Sequence, residues 1–252
     1  MTRRRFYAIA HHCNVISDLE RALEAGANAI ECDVEWHDGL WVRHPAALRE
    51  PFPSGTPLGE YLPAAREKAH AFNERFALVI FDIKPTLERE HVADLLSSVR
   101  AELSEGSGLN VLLTVPKTER LSVFDDVAPS LGGREGIGVD EEDDPNPISD
   151  YFARAGVTHG CYGNGIDSVI PYLGEDPIEE GIRRAVELRD TRGAFRLVYR
   201  WTLNTKPFMR KYLDLGVDAI MTDQIDDLVA VLREDPYRES AELAGREHNP
   251  FA

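Results

Sequence analysis

The sequence predicts a (β/α)8 barrel, the TIM-barrel class, as a single domain over residues 1–252, and three observations carry that expectation. Short apolar runs alternate with amphipathic runs along the chain, and the apolar runs number eight. Several are rich in Val and Ile and apolar on both faces, as parallel strands covered on two sides should be. At 252 residues, 43% of them hydrophobic, the chain has the length of one such barrel. A doubly wound open sheet is the competing architecture, because the alternation is weakest between the fourth and fifth strands.

The predicted strands are Phe6–Ala10, Ala29–Trp36, Ala77–Lys84, Asn110–Pro116, Gly136–Asp140, His159–Gly163, Arg196–Leu203 and Ala219–Thr222. Ser17–Ala25 places Leu19, Ala22 and Leu23 on one helix face, and Gly26 ends it as a left-handed C-terminal residue would. Lys206–Leu215 followed by Gly216 repeats the pattern. His37-Asp38-Gly39 lies between two apolar runs, and Asp-Gly is a strong hairpin signal, so a small hairpin ending at His44 should elaborate the second strand. Gly132-Gly133 and residues 140–147 read as loops. The acidic run from Asp140 to Asp144 is expected to be solvated surface rather than a second metal site. From Tyr237 onward the chain is polar and reads as a tail lying over the barrel.

Charge narrows the function classes. With 28 basic and 44 acidic side chains the formal net charge is −16, which disfavours nucleic acid and docking on anionic lipid by charge alone. No run reaches the ~20 apolar residues of a membrane span. After Arg3-Arg4-Arg5 the apolar run Phe6–Ala10 is too short for a signal peptide within this sequence. Cys13, Cys32 and Cys161 fit neither a disulfide framework nor a zinc motif and are expected to be buried thiols. Nothing specifies an oligomer or a protein partner.

In a barrel of this class, reacting groups sit where strands end. His11 follows the first strand, Glu31 and Asp33 lie in the second, Asp82 and Lys84 end the third, Trp201 and Asn204 close the seventh and Asp223 follows the eighth. Glu31 and Asp33 are two apart and share a strand face, and Asp82 and Lys84 repeat that spacing. Buried like-charged carboxylates repel and lose hydration, so each needs a partner. One divalent cation serves all three, and an all-oxygen set points to Mg²⁺, with Ca²⁺ or Mn²⁺ as substitutes. A purely structural network around Lys84 is the alternative.

A cation with Lys84 beside it suits a phosphate oxygen, because both neutralise charge as phosphorus becomes five-coordinate. Displacement also needs a proton acceptor and a donor, and imidazoles serve both near neutral pH. His11 and His44 are the histidines that strand-end logic puts beside the carboxylates. His12 competes with His11 but should point elsewhere. His37, His70, His91, His159 and His248 read as surface or structural. Cys32 should face away from the carboxylates. Tyr199 and Trp201 share a strand face and could give a quaternary ammonium a cation–π wall, with barrel packing as the alternative.

Ala10-His11-His12-Cys13-Asn14, the run from Gly26 to Asp33, Phe81-Asp82-Ile83-Lys84, Tyr199-Arg200-Trp201-Thr202 and the run from Gly216 to Asp223 resemble the sphingomyelinase D/phospholipase D toxins of recluse spiders and certain bacteria. The tail His248-Asn249-Pro250-Phe251 is similar to the plug that closes the bottom of those barrels. The resemblance spans nearly the whole chain. It implies Mg²⁺ on Glu31, Asp33 and Asp82, an acid/base pair of His11 and His44, Lys84 on the phosphate, and Trp201 near the substrate. It also implies secretion, a phospholipid or lysophospholipid substrate, and attack by the substrate's own hydroxyl to give a cyclic phosphate. Two departures stand out. Asn204 and Asp223 occupy positions where the toxins have Asp and Asn, an exchange that looks like the wider glycerophosphodiester phosphodiesterase superfamily. The toxins' cysteine-bearing loop after the second histidine is also absent. A glycerophosphodiester phosphodiesterase acting on small diesters is therefore the alternative, with Tyr199, Trp201, Asn204 and Asp223 as substrate contacts in either reading. A lipid enzyme should also expose apolar residues at its mouth, for which Leu48, Pro51, Phe52, Pro53 and Tyr162 are the candidates.

Overall fold

The structure is a computed structural model that describes residues 3–44, 55–166 and 178–252. Its strands, in chain order, are β1 (Arg4–Ala10), β2 (Ala29–Trp36), β3 (Leu40–Val42), β4 (Thr56–Pro57), β5 (Leu78–Ile83), β6 (Asn110–Val115), β7 (Glu135–Val139), β8 (Gly160–Gly165), β9 (Leu197–Trp201), β10 (Ala219–Thr222) and β11 (Ala241–Leu243). Parallel pairing runs β1-β2-β5-β6-β7-β8-β9-β10 and returns to β1, which closes an eight-stranded barrel. Closure removes the open-sheet alternative, and each of the eight predicted strands is one of the staves.

The chain covers the barrel with α1 (Ile16–Ala25), α2 (Leu58–Ala71), α3 (Arg89–Val99), α4 (Pro145–Ala155), α5 (Glu179–Arg192), α6 (Lys206–Leu215) and α7 (Ile225–Leu232), and a short α8 (Tyr237–Ser240) follows. Gly26 and Gly216 end α1 and α6 in the left-handed conformation, as their positions predict. The connection from β6 to β7 departs from the expected repeat, since only 3-10 turns at Thr118–Phe124 and Ala128–Ser130 cover it. That weak helical signal is what blurred the alternation there.

Period-two alternation sorts the strands. Phe6, Ala8, Ile30, Cys32, Val34, Phe81 and Leu113 pack outward beneath the helices, whereas Tyr7, Ile9, Ala29, Ile80, Leu112 and Tyr199 fill the barrel. Cys32 therefore faces away from the carboxylates that flank it, and all three thiols are buried. The same alternation points Glu31, Asp33 and Asp82 inward near the end where the strands finish.

The opposite end is closed by the tail, which does more than lie over the barrel. β11 pairs in parallel with the first residues of β1, a three-residue strand that the polar sequence did not reveal. Phe251 is buried among the interior residues over Gly136, where a Cβ would come within 2.5 Å of its ring. Asn249 donates to the Gly133 carbonyl at 2.7 Å, and Asn110 donates to His248 O at 2.9 Å. Asn28 holds the same floor, donating to Phe6 O and Ala244 O and accepting from Ala8 N–H. Truncating Phe251 to Ala should lower unfolding free energy by ~3–5 kcal/mol in urea melts, the cost of an emptied aromatic site. The rate of the molecules that remain folded should not change, since the opposite end carries the polar cluster.

Candidate active site

β2 and β5 bring the carboxylates together. Asp33 and Asp82 are partners in the parallel register, with Glu31 opposite Ile80 one layer deeper. Ligand oxygens of Glu31, Asp33 and Asp82 all lie within 4.8 Å of one another. Lys84, one step beyond β5, anchors its N–H on Val34 O, donates its ammonium to Asp82 and forms an ion pair with Asp33 Oδ1 at 2.5 Å. Asn14 holds Asp33 from the other side, donating to Oδ2 at 2.6 Å and accepting the Asp33 N–H at 2.8 Å. Glu31 accepts the His12 N–H at 2.9 Å.

One ammonium does not balance three carboxylates. Burial, and after it the charge of Asp33, pushes Glu31 up to about 8. Burial also raises Asp82. Asp33 lies below the usual carboxylate range: burial opposes this, but Lys84, His12 and Asn14 outweigh it. Asp82 Oδ1 is buried without a hydrogen-bond partner. A hard divalent cation fits this set, since it would take carboxylate oxygens that nothing else satisfies.

Three histidines share the cavity with the carboxylates. His11 pairs Nδ1 with Asp223 Oδ1 at 2.9 Å, which leaves Nε2 as the ring nitrogen that Asp223 does not engage. Asp223 is itself held by Asn204 Nδ2 at 2.6 Å, while Asn204 Oδ1 accepts the Asp223 N–H and the Thr222 hydroxyl. Asn204 and Asp223 thus form a hydrogen-bonded chain behind His11, and neither is among the residues that line the cavity. Burial lowers the His11 pKa, but the Asp223 hydrogen bond and the charges of Glu31, Asp223 and Asp33 overcome it and the net shift is upward.

His44 arrives by the predicted hairpin. Asp38 and Gly39 both take positive φ in its turn, and β3 runs back along β2 with Val42 opposite Val34. Arg43 N–H then donates to Asp33 O at 2.9 Å, and its guanidinium pairs with buried Glu35, so His44 emerges beside the carboxylates. His12 does not point elsewhere. At φ 55° it has left the strand, so alternation no longer governs it. Its ring stacks on His11 with centroids 3.6 Å apart and lies 5.5 Å from the His44 ring.

The cavity, about 200 Å³, is lined by these residues together with Asp140, Glu141, Trp201 and Met221. Trp201 donates Nε1 to Asp140 O at 2.6 Å, which fixes its ring at the wall. Tyr199 is fully buried beneath, its hydroxyl 3.4 Å from Asp140 Oδ2, and is not among the lining residues. Of the two rings expected at the wall, Trp201 lines the cavity and Tyr199 does not. Gly163 and Gly165 of β8 leave room for these rings, since a Cβ at either would collide with Tyr199 or Trp201.

Asp140 corrects the reading of the acidic run. It is 5% exposed, at the end of β7, and burial followed by the charge of Asp82 raises its pKa well above the usual range. Further along, Glu142 O accepts from Tyr162 and Asn164, and Asp144 caps α4 through Asn146 N. Strand-end logic would have found Asp140, but the four acidic neighbours disguised it as surface. Asn14 also lay in plain view, but its two hydrogen bonds to Asp33 exist only once β1 and β2 are adjacent. Elsewhere, His91 stacks on Trp36, and His159 stacks on Phe251 with Nδ1 on Glu135 O, both structural as expected.

The model of the dermonecrotic toxin SPH family matches residues 1–251. A dermonecrotic toxin of Loxosceles apachea is 26% identical over 97% of this chain and 98% of its own length. Another, from Ixodes scapularis, is 27% identical over 99% of this chain and 76% of its own. Among solved structures, a glycerophosphodiester phosphodiesterase from Parabacteroides distasonis superposes with a TM-score of 0.65 over 92% of this chain and 98% of that one, at 17% identity. Phosphoribosyl anthranilate isomerase from Thermotoga maritima also superposes, with a TM-score of 0.52 over 90% of this chain and 98% of that one, at 14% identity. These structural likenesses concern the fold, and function has to be argued from the site.

Replacing Asp223 with Asn should lower the His11 pKa, because it removes the anion that stabilises the imidazolium. Whichever limb of a pH–rate profile belongs to His11 should then move to lower pH, with kcat reduced by ~10²–10⁴-fold. NMR titration of the His11 ring in the two proteins checks the direction independently of turnover.

Proposed function

Because this chain belongs to the dermonecrotic toxin SPH family, we propose that it is a phosphodiesterase of the phospholipase D type, cleaving the head group of sphingomyelin or lysophospholipids with Mg²⁺. The observation that carries the reading is the convergence of Glu31, Asp33, Asp82, Lys84, His11 and His44 on one cavity at the C-terminal end of the barrel. Glu31, Asp33 and Asp82 would hold the cation, which when bound supplies charge neutralisation at a phosphoryl oxygen. Lys84 sits among the same carboxylates and would orient a second phosphate oxygen. His11 Nε2 and His44 flank that position, one to take a proton and the other to give one.

In the reaction proposed, a free hydroxyl of the substrate attacks phosphorus while the bond to the head-group oxygen breaks. One imidazole accepts the hydroxyl proton and the other protonates the departing alcohol, so no water is consumed and a cyclic phosphate is left. Intramolecular attack is favoured by effective molarities that reach ~10⁵–10⁸ M in well-oriented systems. Trp201 offers its face to a quaternary ammonium.

Two large apolar side chains support a lipid interface. Trp36 at the end of β2 is 36% exposed and Ile166 just after β8 is 38% exposed, on opposite sides of the barrel mouth. They replace Tyr162, which is buried with its hydroxyl on Glu142 O. Leu48, Pro51, Phe52 and Pro53 lie outside the described residues. Among the described residues no helix is long and apolar enough to cross a membrane. The Asn204–Asp223 pairing favours a second reading, hydrolysis of small soluble glycerophosphodiesters, in which water is the nucleophile.

EDTA should abolish turnover and Mg²⁺ should restore it; full activity after exhaustive chelation would sink the metal-dependent reading. His11→Asn and His44→Asn should each reduce kcat by ~10²–10⁴-fold without unfolding the protein. For the product, ³¹P NMR of lysophosphatidylcholine and sphingomyelin reactions in H₂¹⁸O should show an early cyclic phosphate free of ¹⁸O, with diacyl phosphatidylcholine reacting slowly. Early ¹⁸O on phosphorus would replace this reading with the hydrolytic one.

A further inference from the structure

The stack of histidines holds more nitrogen donors than two-histidine acid/base chemistry uses. His12 Nε2 lies 3.7 Å from Asp33 Oδ2, and one ligand atom each from His12, Asp33 and His44 lies within 4.8 Å of the other two. We propose that His12, Asp33 and His44 form a second metal site, selective for a borderline transition ion of the Zn²⁺ class, whose occupation withdraws His44 from catalysis.

The donor chemistry separates the two sites. Glu31, Asp33 and Asp82 present only oxygen, which suits Mg²⁺, whereas two imidazoles and one carboxylate suit zinc, cobalt or nickel. Only Asp33 is common to both. Its Oδ1 faces Lys84, and its Oδ2 faces His12 and Asn14, so a bridging carboxylate can serve each side. A tetrahedral ion with bonds of ~2.0–2.1 Å needs its ligand atoms ~3.3 Å apart, a modest contraction from the observed spacing. His12 and His44 are both exposed at the mouth and can make it, and the fourth position would open to the cavity for water or phosphate.

Position 12 makes the site. Its left-handed backbone turns the imidazole out of the strand direction and over the cavity, between His11 and His44. A nitrogen bound to a metal cannot carry a proton, so filling the site should stop any reaction that depends on His44. This consequence for catalysis rests on the function proposed above, while the binding itself does not.

The test is a titration of the full chain with Co²⁺ in excess Mg²⁺, followed by visible absorption and calorimetry, with Zn²⁺ then added as competitor. One Co²⁺ should bind with nitrogen-type d–d bands and be displaced by Zn²⁺. His12→Asn and His44→Asn should each weaken it by ~10²-fold or more, since losing even an outer contact of a metal site costs ~10–10²-fold. His70→Asn, remote from the cluster, should leave binding unchanged. Equal Co²⁺ binding in all four proteins, or binding abolished by Mg²⁺, would overturn the site. Zn²⁺ should also inhibit lipid turnover by the wild type, with an inhibition constant at least ~10²-fold higher in His12→Asn relative to its own basal rate. Zinc bound through His12 without inhibition would overturn the withdrawal of His44. A chain that binds Co²⁺ as expected but turns over no phosphodiester would contradict the proposed function alone.

Discussion

Three carboxylates on two adjoining strands crowd one end of this barrel with a single ammonium among them. Packing does not require them there, since the deeper layers of the same strands are filled by Ala29, Leu78 and Ile80. Their mutual repulsion and lost hydration work against folding, and the shifts of Glu31 and Asp82 toward the neutral form are the local response. The surrounding groups are arranged to limit that cost. Asn14 and the His12 N–H satisfy individual oxygens, and Lys84 bridges Asp33 and Asp82. What remains is an excess of negative charge and an orphaned Asp82 oxygen, the conditions under which a divalent cation binds most favourably.

That requirement organises the neighbouring elements. The β2–β3 hairpin anchors Arg43 on Asp33 O and Glu35, and so delivers His44 to the cluster by backbone register rather than by loop flexibility. On the other side, Asn204 fixes Asp223, which fixes His11, so the tautomer of the imidazole is set two hydrogen bonds away. Stability is supplied at the opposite end, where Asn28, Asn249 and Phe251 close the floor. The division of labour between the two faces lets a destabilised polar cluster persist on a well-packed scaffold.

Much of this was legible in the residues. Strand periodicity located all eight staves, and spacing of two put Glu31 with Asp33 and Asp82 with Lys84 on inward faces. What escaped detection did so for identifiable reasons. Alternation is a rule for extended backbone and failed at His12, where φ turns positive. Asp140 was disguised by the acidic residues that follow it, and β11 by its length and polarity. The chain of hydrogen bonds from Asn204 through Asp223 to His11 depends on β10 lying between β9 and β1, which residue type alone does not express. Tyr199 shares a face with Trp201, but two residues along a stave is ~6.6 Å of depth, enough to take one ring from the wall into the core.

The central claim is that Glu31, Asp33 and Asp82 are held together for a cation rather than for the fold. It is tested most directly by melting the wild type and Glu31→Gln with and without Mg²⁺. Glu31 has a raised native pKa, so in the metal-free protein its contribution to stability falls as pH rises from about 4.5 to about 8. In EDTA near pH 8, Glu31→Gln should therefore be at least as stable as the wild type. Mg²⁺ should raise the melting temperature of the wild type and have little effect on the variant. A wild-type melting temperature indifferent to Mg²⁺, or an equal rise in Glu31→Gln, would contradict the account.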